Sequence, residues 1–185
     1  MKLNELTLPK DRAAAGDILS NAGYKRLGSG SFATIWHKEG SNQVLKLFDG
    51  SDHAYYDYIQ LCNAHPNPHF PKFFSKPIKI NAMYRAIKTE LLTKPDITYT
   101  QSECLDDYTR LRTQFHNDEG IKKALGDRYE EAFGSAIKYL KDPIFKQALD
   151  LITDELIIKK GYFSDIHPSN FMERNGVLVF SDPVT

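Results

Sequence analysis

Apolar and polar positions change period several times along this chain, and each change marks an element. Residues 8–23, LPKDRAAAGDILSNAG, carry a proline near the start, run through alanines and stop at Asn-Ala-Gly, which predicts a short helix. YKRLGSG, FATIWHK and QVLKLF follow and predict three consecutive strands, with turn signals at Gly28–Ser31 and at EGSN. In SDHAYYDYIQLCNAH the apolar positions Tyr55, Tyr58, Ile59 and Cys62 fall at helical spacing, behind Ser51 or Asp52 as N-cap. The proline-dense HPNPHFP ends that helix. KFFSKPIKI and MYRAIKTELL then predict a strand pair that turns at Asn81-Ala82.

From Lys94 onward helical periodicity takes over. SECLDDYTRLRTQF, DRYEEAFGSAIKYL and DPIFKQALDLITDELIIKK all carry it, the last opening on Asp142-Pro143, an N-cap and first-turn pair. After KKGY, the short apolar runs FMER and VLVFSD flank Asn175-Gly176, the strongest short hairpin signal a sequence can carry. The order is strands with one inserted helix, then helices, then a hairpin. It predicts an α+β fold in one minimal bilobal domain over 1–185, with a cleft between the lobes. A β-rich N-lobe with its N-terminal helix takes about 1–93, and a reduced helical C-lobe takes about 94–185.

Composition narrows the function classes. The chain has 185 residues, 41% of them hydrophobic, enough for a packed core and against global disorder. Basic and acidic residues balance at 24 each, which argues against a nucleic-acid or anionic-membrane partner, since both favour a basic excess. Cys62 and Cys104 form no disulfide framework and no metal-ligand spacing, and they fit a reducing cytosol. MKLNELTLPKDRAAAG holds no signal-peptide core, and no run reaches transmembrane length. The expectation is a cytoplasmic protein without a membrane partner; the oligomeric state is left open.

The candidate chemistry sits at the two ends. In FSDIHPSNFMERNGVLVFSDP, Asp165 and Asn170 are five apart in a polar loop, and Asp182 follows the hairpin. Two carboxylates and a carboxamide suit Mg²⁺, which takes hard oxygen ligands and completes its shell with phosphate oxygens. A carboxylate left over can orient an attacking hydroxyl. GSGSFATIWHKEGSNQVLKLF supplies what a phosphate would need upstream: a glycine hairpin and a lysine in an apolar strand. Taken alone, Gly28 and Gly30 read as a tight hairpin, Asp165 and Asn170 as turn residues and Asp182 as a strand-end cap. His167 reads as a loop or phosphate-side contact and Cys62 as core.

Together these elements resemble the protein-kinase set, in the same order along the chain. Gly28, Gly30, Ala33 and Ile35 fit the glycine-rich loop, with Ala33 in place of its third glycine. Lys46 fits the strand lysine, Asp165 and Asn170 fit the D-x-x-x-x-N loop, and Asp182-Pro-Val stands where D-F-G would. On AGYKRLGSGSFATIW, VLKLF with SDHAYYDY, FPKFF and FSDIHPSNFMERNGVLVFSDPVT, the chain more closely resembles the early serine/threonine protein kinase of podophages, the host-shutoff kinase of the T-odd coliphages. The likeness runs over about residues 20–185 and is carried by the two ends. It implies an ATP-dependent, Mg²⁺-using kinase in the host cytoplasm, with host proteins as substrates. It implies that Asp165 and Lys46 are catalytic and that Asn170 and Asp182 hold the metal. ATP would be bound by Gly28, Ser29, Gly30, Ser31, Phe32, Ala33, Ile35 and Lys46, with the backbone at Glu90–Leu92 pairing with adenine. A C-terminal shutoff extension found in that family is not matched here and its role is not carried over.

The chain departs from the kinase pattern in two informative places. The inserted helix has no Glu, so Asp52 or Asp57 is left as partner for Lys46, and Asp57 is the better placed because Asp52 falls where it caps the helix. Phe163-Ser164 replaces the His-Arg that usually precedes the loop aspartate, so control through a phosphorylated activation loop has no receiver. With Thr185 three residues past Asp182, either the helices at 96–160 provide a peptide-holding surface, or the chain is truncated, or peptide phosphorylation is weak. Two other functions fit. DIHPSN also resembles the loop of aminoglycoside- and choline-type kinases, for which SECLDD offers an acidic wall. A kinase-like protein that binds and inhibits a host partner is the non-enzymatic alternative.

Overall fold

A computed structural model of the protein describes residues 7–185. The described residues up to Tyr56, with Lys72–Leu91, form one compact unit, and Asp57–Pro71 with Leu92–Thr185 form a second. Residues 57–64 of the inserted helix and the proline-rich loop after it group with the C-terminal unit. Together the two units make a mixed α+β protein.

The first unit is a five-stranded antiparallel sheet in the order β1-β2-β3-β5-β4, from β1 (Tyr24–Ser29), β2 (Ala33–Lys38), β3 (Gln43–Asp49), β4 (Ile78–Lys79) and β5 (Tyr84–Glu90). Central strand β3 reads QVLKLFD because both its faces are covered, and Val44 through Phe48 are all buried. Directly opposite residues share a face, so the register sorts the sheet into two sides. Trp36 opposite Leu45, and Thr34 opposite Leu47 and Ala86, make one side. The helix α1 (Arg12–Asn21), capped by Asp11, packs there through Ala15 and Leu19. Ala33 opposite Phe48, and Ile35 opposite Lys46 and Ile87, make the other side. Tyr55 of α2 (His53–Ala64) meets Phe48 there edge to face at 5.1 Å. The expected KFFSKPIKI strand shrinks to Ile78–Lys79 plus an isolated bridge at Phe73, since Pro77 interrupts the ladder. The turn at Asn81 forms as expected, its Oδ1 accepting from the N–H groups of Met83 and Tyr84.

In the second unit, α3 (Tyr99–Phe115) starts at a capping box between Thr98 and Gln101. It packs with α4 (Asp118–Leu125) and α7 (Pro143–Leu151), and α7 continues as a π-helix over Ile152–Ile158. The helix α4 is an addition to the sequence reading. Its signals were present: Asn117 as N-cap, Asp118 and Glu119 in the first turn, two lysines in the last and Gly126 beyond. The expected single helix over 127–140 is instead broken into a 3₁₀ turn, α5 (Tyr129–Ala132) and α6 (Ile137–Leu140), with Gly134 at the break. Arg112 anchors α3 to the α7 segment. It donates through Nε and Nη2 to both oxygens of Asp154, at 2.8 and 2.7 Å, and its Nη1 lies 3.2 Å from Asp150. The β6 (Phe171–Arg174) and β7 (Val177–Phe180) hairpin turns through Asn175 and Gly176, both at positive φ, the geometry a two-residue type I′ turn requires. Among the described residues no helix is long and apolar enough to cross a membrane.

Candidate functional site

Within the C-terminal unit, three short backbone ties bring Asp165, Asn170 and Asp182 into one cluster. The segment after β7 folds back along 163–165: the N–H of Asp165 donates to the carbonyl of Pro183 at 2.9 Å, and Phe163 and Thr185 exchange two hydrogen bonds. At the other end of the turn, the N–H and Oγ of Ser181 both donate to the carbonyl of Asn170 at 2.8 Å. Across the loop, Nδ2 of Asn170 donates to the carbonyl of Asp165 at 2.9 Å. The Asn170 carbonyl, the 181–183 backbone and Asp165 thus close a ring. Its rigidity comes from below: Tyr58 donates its hydroxyl to the Phe180 carbonyl at 2.6 Å, and the Phe180 N–H is received by the carbonyl of His69.

Lost hydration and neighbouring carboxylates set the electrostatics at Asp165. Asp165 is an exposed residue, yet its carboxyl is crowded enough that lost hydration raises its pKa. A hydrogen bond from Asn170 opposes the rise, while the Asp182 carboxylate and, more weakly, Asp106 add to it. Asp106 stands on α3, where it accepts a 2.5 Å hydrogen bond from Ser164, the neighbour of Asp165. The residues present fit a hard divalent cation: two repelling carboxylates and a carboxamide oxygen are oxygen donors of the right kind. No group of three His, Cys, Asp or Glu side chains among the described residues is set to hold a metal unaided, so phosphate oxygens and water would have to complete the shell. His167 is not part of the donor set. Its ring lies against Tyr99 at 5.6 Å, with Nδ1 3.0 Å from Ser169 Oγ.

In the N-terminal unit, Ala33, Ile35 and Lys46 lie on one face of the sheet, at the root of the Gly28–Phe32 hairpin. Lys46 is only 5% exposed, and its Nζ sits 3.3 Å from the centroid of the Tyr55 ring. An aromatic face stabilises an ammonium held away from water. Asp57 does not take the role expected of it: it accepts a 2.8 Å hydrogen bond from Tyr162 and pairs with Lys160 at 3.2 Å. It lies two residues beyond Tyr55, on another side of the helix. Asp52 accepts from the N–H of Tyr55 at 2.9 Å, as a helix cap does. The residue of the inserted helix that lies against Lys46 is thus Tyr55, legible in the sequence only as a core position.

Gly28 and Gly30 lie outside the positive-φ glycines, and a Cβ on either would meet nothing within 4 Å. The hairpin does not need glycine there, so the simple turn reading of these residues loses its physical basis. Ser29, Ser31 and Phe32 are all exposed, Phe32 by 54%. At the end of β5, the N–H of Glu90 is spent on the Lys72 carbonyl and that of Leu91 on the Asn42 carbonyl. Leu92 N–H is the donor left over in the stretch expected to pair with adenine.

No protein-family model matches this chain, and no curated protein matches it. Among solved structures, it aligns with the ternary complex of streptomycin, ATP and APH(2″)-IIa at 15% identity, over 94% of this chain and 72% of that one, with a TM-score of 0.36. A likeness of that size carries nothing about substrate or residue roles.

Proposed function

We propose that this chain is an ATP-dependent phosphotransferase with a protein-kinase-like fold, and that it acts as a serine/threonine protein kinase on host proteins, as an early phage protein would. The observation that carries the reading is the hydrogen-bonded ring that gathers Asp165, Asn170 and Asp182 from separate stretches of sequence. Asp165 is assigned to the acceptor hydroxyl, which it orients and from which it takes the proton at its carboxylate. Its raised pKa suits a base, provided the group is ionised at working pH. Asn170 and Asp182 are assigned to Mg²⁺, which when bound would neutralise phosphate charge. Lys46 is assigned to the α- and β-phosphates, the Gly28–Phe32 backbone to covering them, and Leu92 to adenine. Positioning and charge neutralisation supply most of the rate in such transfers.

A second acceptor class is favoured by one observation: Asp106 of the SECLDD stretch is held beside Asp165 through Ser164. An acidic group there suits a cationic small molecule with a hydroxyl to phosphorylate. Incubation with labelled ATP, Mg²⁺ and host lysate separates the readings. Labelled Ser/Thr proteins support the first. A labelled small cation with no labelled protein supports the second. A stable host complex with no transfer overturns both and leaves an inhibitor.

A further inference from the structure

The helix α1 has no assigned part in the chemistry, yet one of its side chains reaches the glycine hairpin. Arg12, the first residue of α1, donates through Nη2 to the carbonyl of Ser31 at 3.1 Å, and its Nη1 lies 3.5 Å from the carbonyl of Gly30. The position of Arg12 is set one turn further on. Gly16 has no side chain, and Trp36 fills the space, its ring 3.3 Å from where a Cβ would stand. Ala15 and Leu19 are buried against Trp36, Leu45 and Leu47, which fixes the helix along the sheet. Residues four apart share a helix face, so seating Gly16 on Trp36 aims Arg12 at the hairpin tip.

Holding those two carbonyls has a geometric consequence. In a trans peptide the C=O and the following N–H point in opposite directions. A guanidinium on the carbonyls of Gly30 and Ser31 therefore turns the N–H groups of Ser31 and Phe32 the other way. Neither N–H meets an acceptor among the described residues, whereas the neighbouring groups are engaged: Gly30 N–H donates to Ala33, and the Phe32 carbonyl receives Asp49 N–H at 2.8 Å. Two adjacent backbone N–H groups facing one way make an anion-binding concavity. Arg12 also acts on the carboxylate of Asp49. Asp49 has a lowered pKa, chiefly from the Ser51 hydroxyl and N–H, with Arg12 contributing.

We infer that Arg12 is a positioning residue: it latches the hairpin so that the Ser31 and Phe32 N–H groups are presented to the phosphates of a nucleotide. This rests on the proposed phosphotransferase reading. The test uses the full chain and the variants Arg12→Ala and Arg12→Lys. Amide exchange is followed without nucleotide at Gly30 and Asp49, whose hydrogen bonds close the tip. Mg·ATP affinity is measured by calorimetry. Arg12→Ala is expected to speed exchange at those two amides and to weaken Mg·ATP binding, each about fivefold, the size of one ordinary hydrogen bond, because Arg12 is exposed. Exchange in β5 and at Val44–Leu47 of β3 should not change. Arg12→Lys, which can hold one carbonyl but not two, should recover part of both effects. Weaker binding with unchanged exchange would mean that Arg12 touches the phosphate itself, and faster exchange with unchanged affinity would mean a purely structural latch; either overturns the inference. Failure of the unmodified protein to bind Mg·ATP would overturn the phosphotransferase reading, and the nucleotide-free exchange data would still report the latch.

Discussion

The side-chain amide of Asn170 donates to the backbone carbonyl of Asp165 at 2.9 Å, while the backbone carbonyl of Asn170 receives both donors of Ser181. One residue thus ties the loop aspartate to the segment that carries Asp182. It accounts for two carboxylates being held together although their repulsion opposes it.

That opposition is measurable. A carboxyl whose folded pKa is raised destabilises the fold as it ionises, so its cost appears as pH rises from the ordinary value of 3.8 through the raised value. Asp165→Asn should therefore melt higher than the unmodified protein at pH 7 in the absence of divalent cations, and should lose transfer while keeping Mg·ATP binding. Asp182→Ala should lose Mg²⁺-dependent nucleotide binding as well as transfer. Thermal melts with and without Mg·ATP read both; equal loss of Mg·ATP affinity in the two variants would show the roles wrongly divided.

The glycine hairpin separates folding from binding. With no positive φ and open space at both Cβ positions, Gly28→Ala and Gly30→Ala should leave the urea midpoint unchanged or slightly raised, because alanine restricts the unfolded chain. The same changes should weaken Mg·ATP by about tenfold if a phosphate approaches that backbone. A fall in stability with intact nucleotide affinity would return these glycines to a turn role.

Lys46 and its neighbours make a paired prediction. Tyr55→Leu removes an aromatic face 3.3 Å from the ammonium, worth about 1–2 kcal/mol when desolvated, and should lower Mg·ATP affinity accordingly. Asp57→Asn should cost about 1 kcal/mol of stability through Tyr162 and Lys160, yet leave kcat/KM within about twofold. Steady-state kinetics on the two variants decide the matter; a large kinetic effect at Asp57 would return it to the role of partner for the lysine.

The helical unit should be acid-sensitive. Burial alone would raise the Asp118 pKa, but Lys122 and Lys146 outweigh it and the value is lowered. Its stabilisation is fully present above 3.8 and is lost as pH falls through the folded value. Asp118→Asn should lower stability at pH 7 and flatten the unfolding curve below that point. Arg112→Met, which takes both hydrogen bonds from Asp154 while Asp150 keeps Lys146, should cost about 3 kcal/mol at pH 7 in urea unfolding, the lower end for a broken buried pair because Asp154 is partly exposed.

Local chemistry alone determined much of this protein. Short apolar runs between turn signals gave β2 and β3, Asp142-Pro143 gave the start of α7, and Asn175-Gly176 gave the hairpin, because each depends on neighbours within a few residues. The spacing of Asp165 and Asn170, with Asp182 after a hairpin, was legible as a candidate cluster for the same reason. What only the tertiary structure decided were pairings between distant stretches. The partner ring of Lys46 depends on where α2 lies over the sheet, and its helical phase turns Asp57 away and Tyr55 inward. The reach of Arg12 to the hairpin likewise depends on how α1 seats on Trp36. A sequence period records which face of an element is buried but not which residue of another element meets it, and those meetings are what give the candidate site its shape.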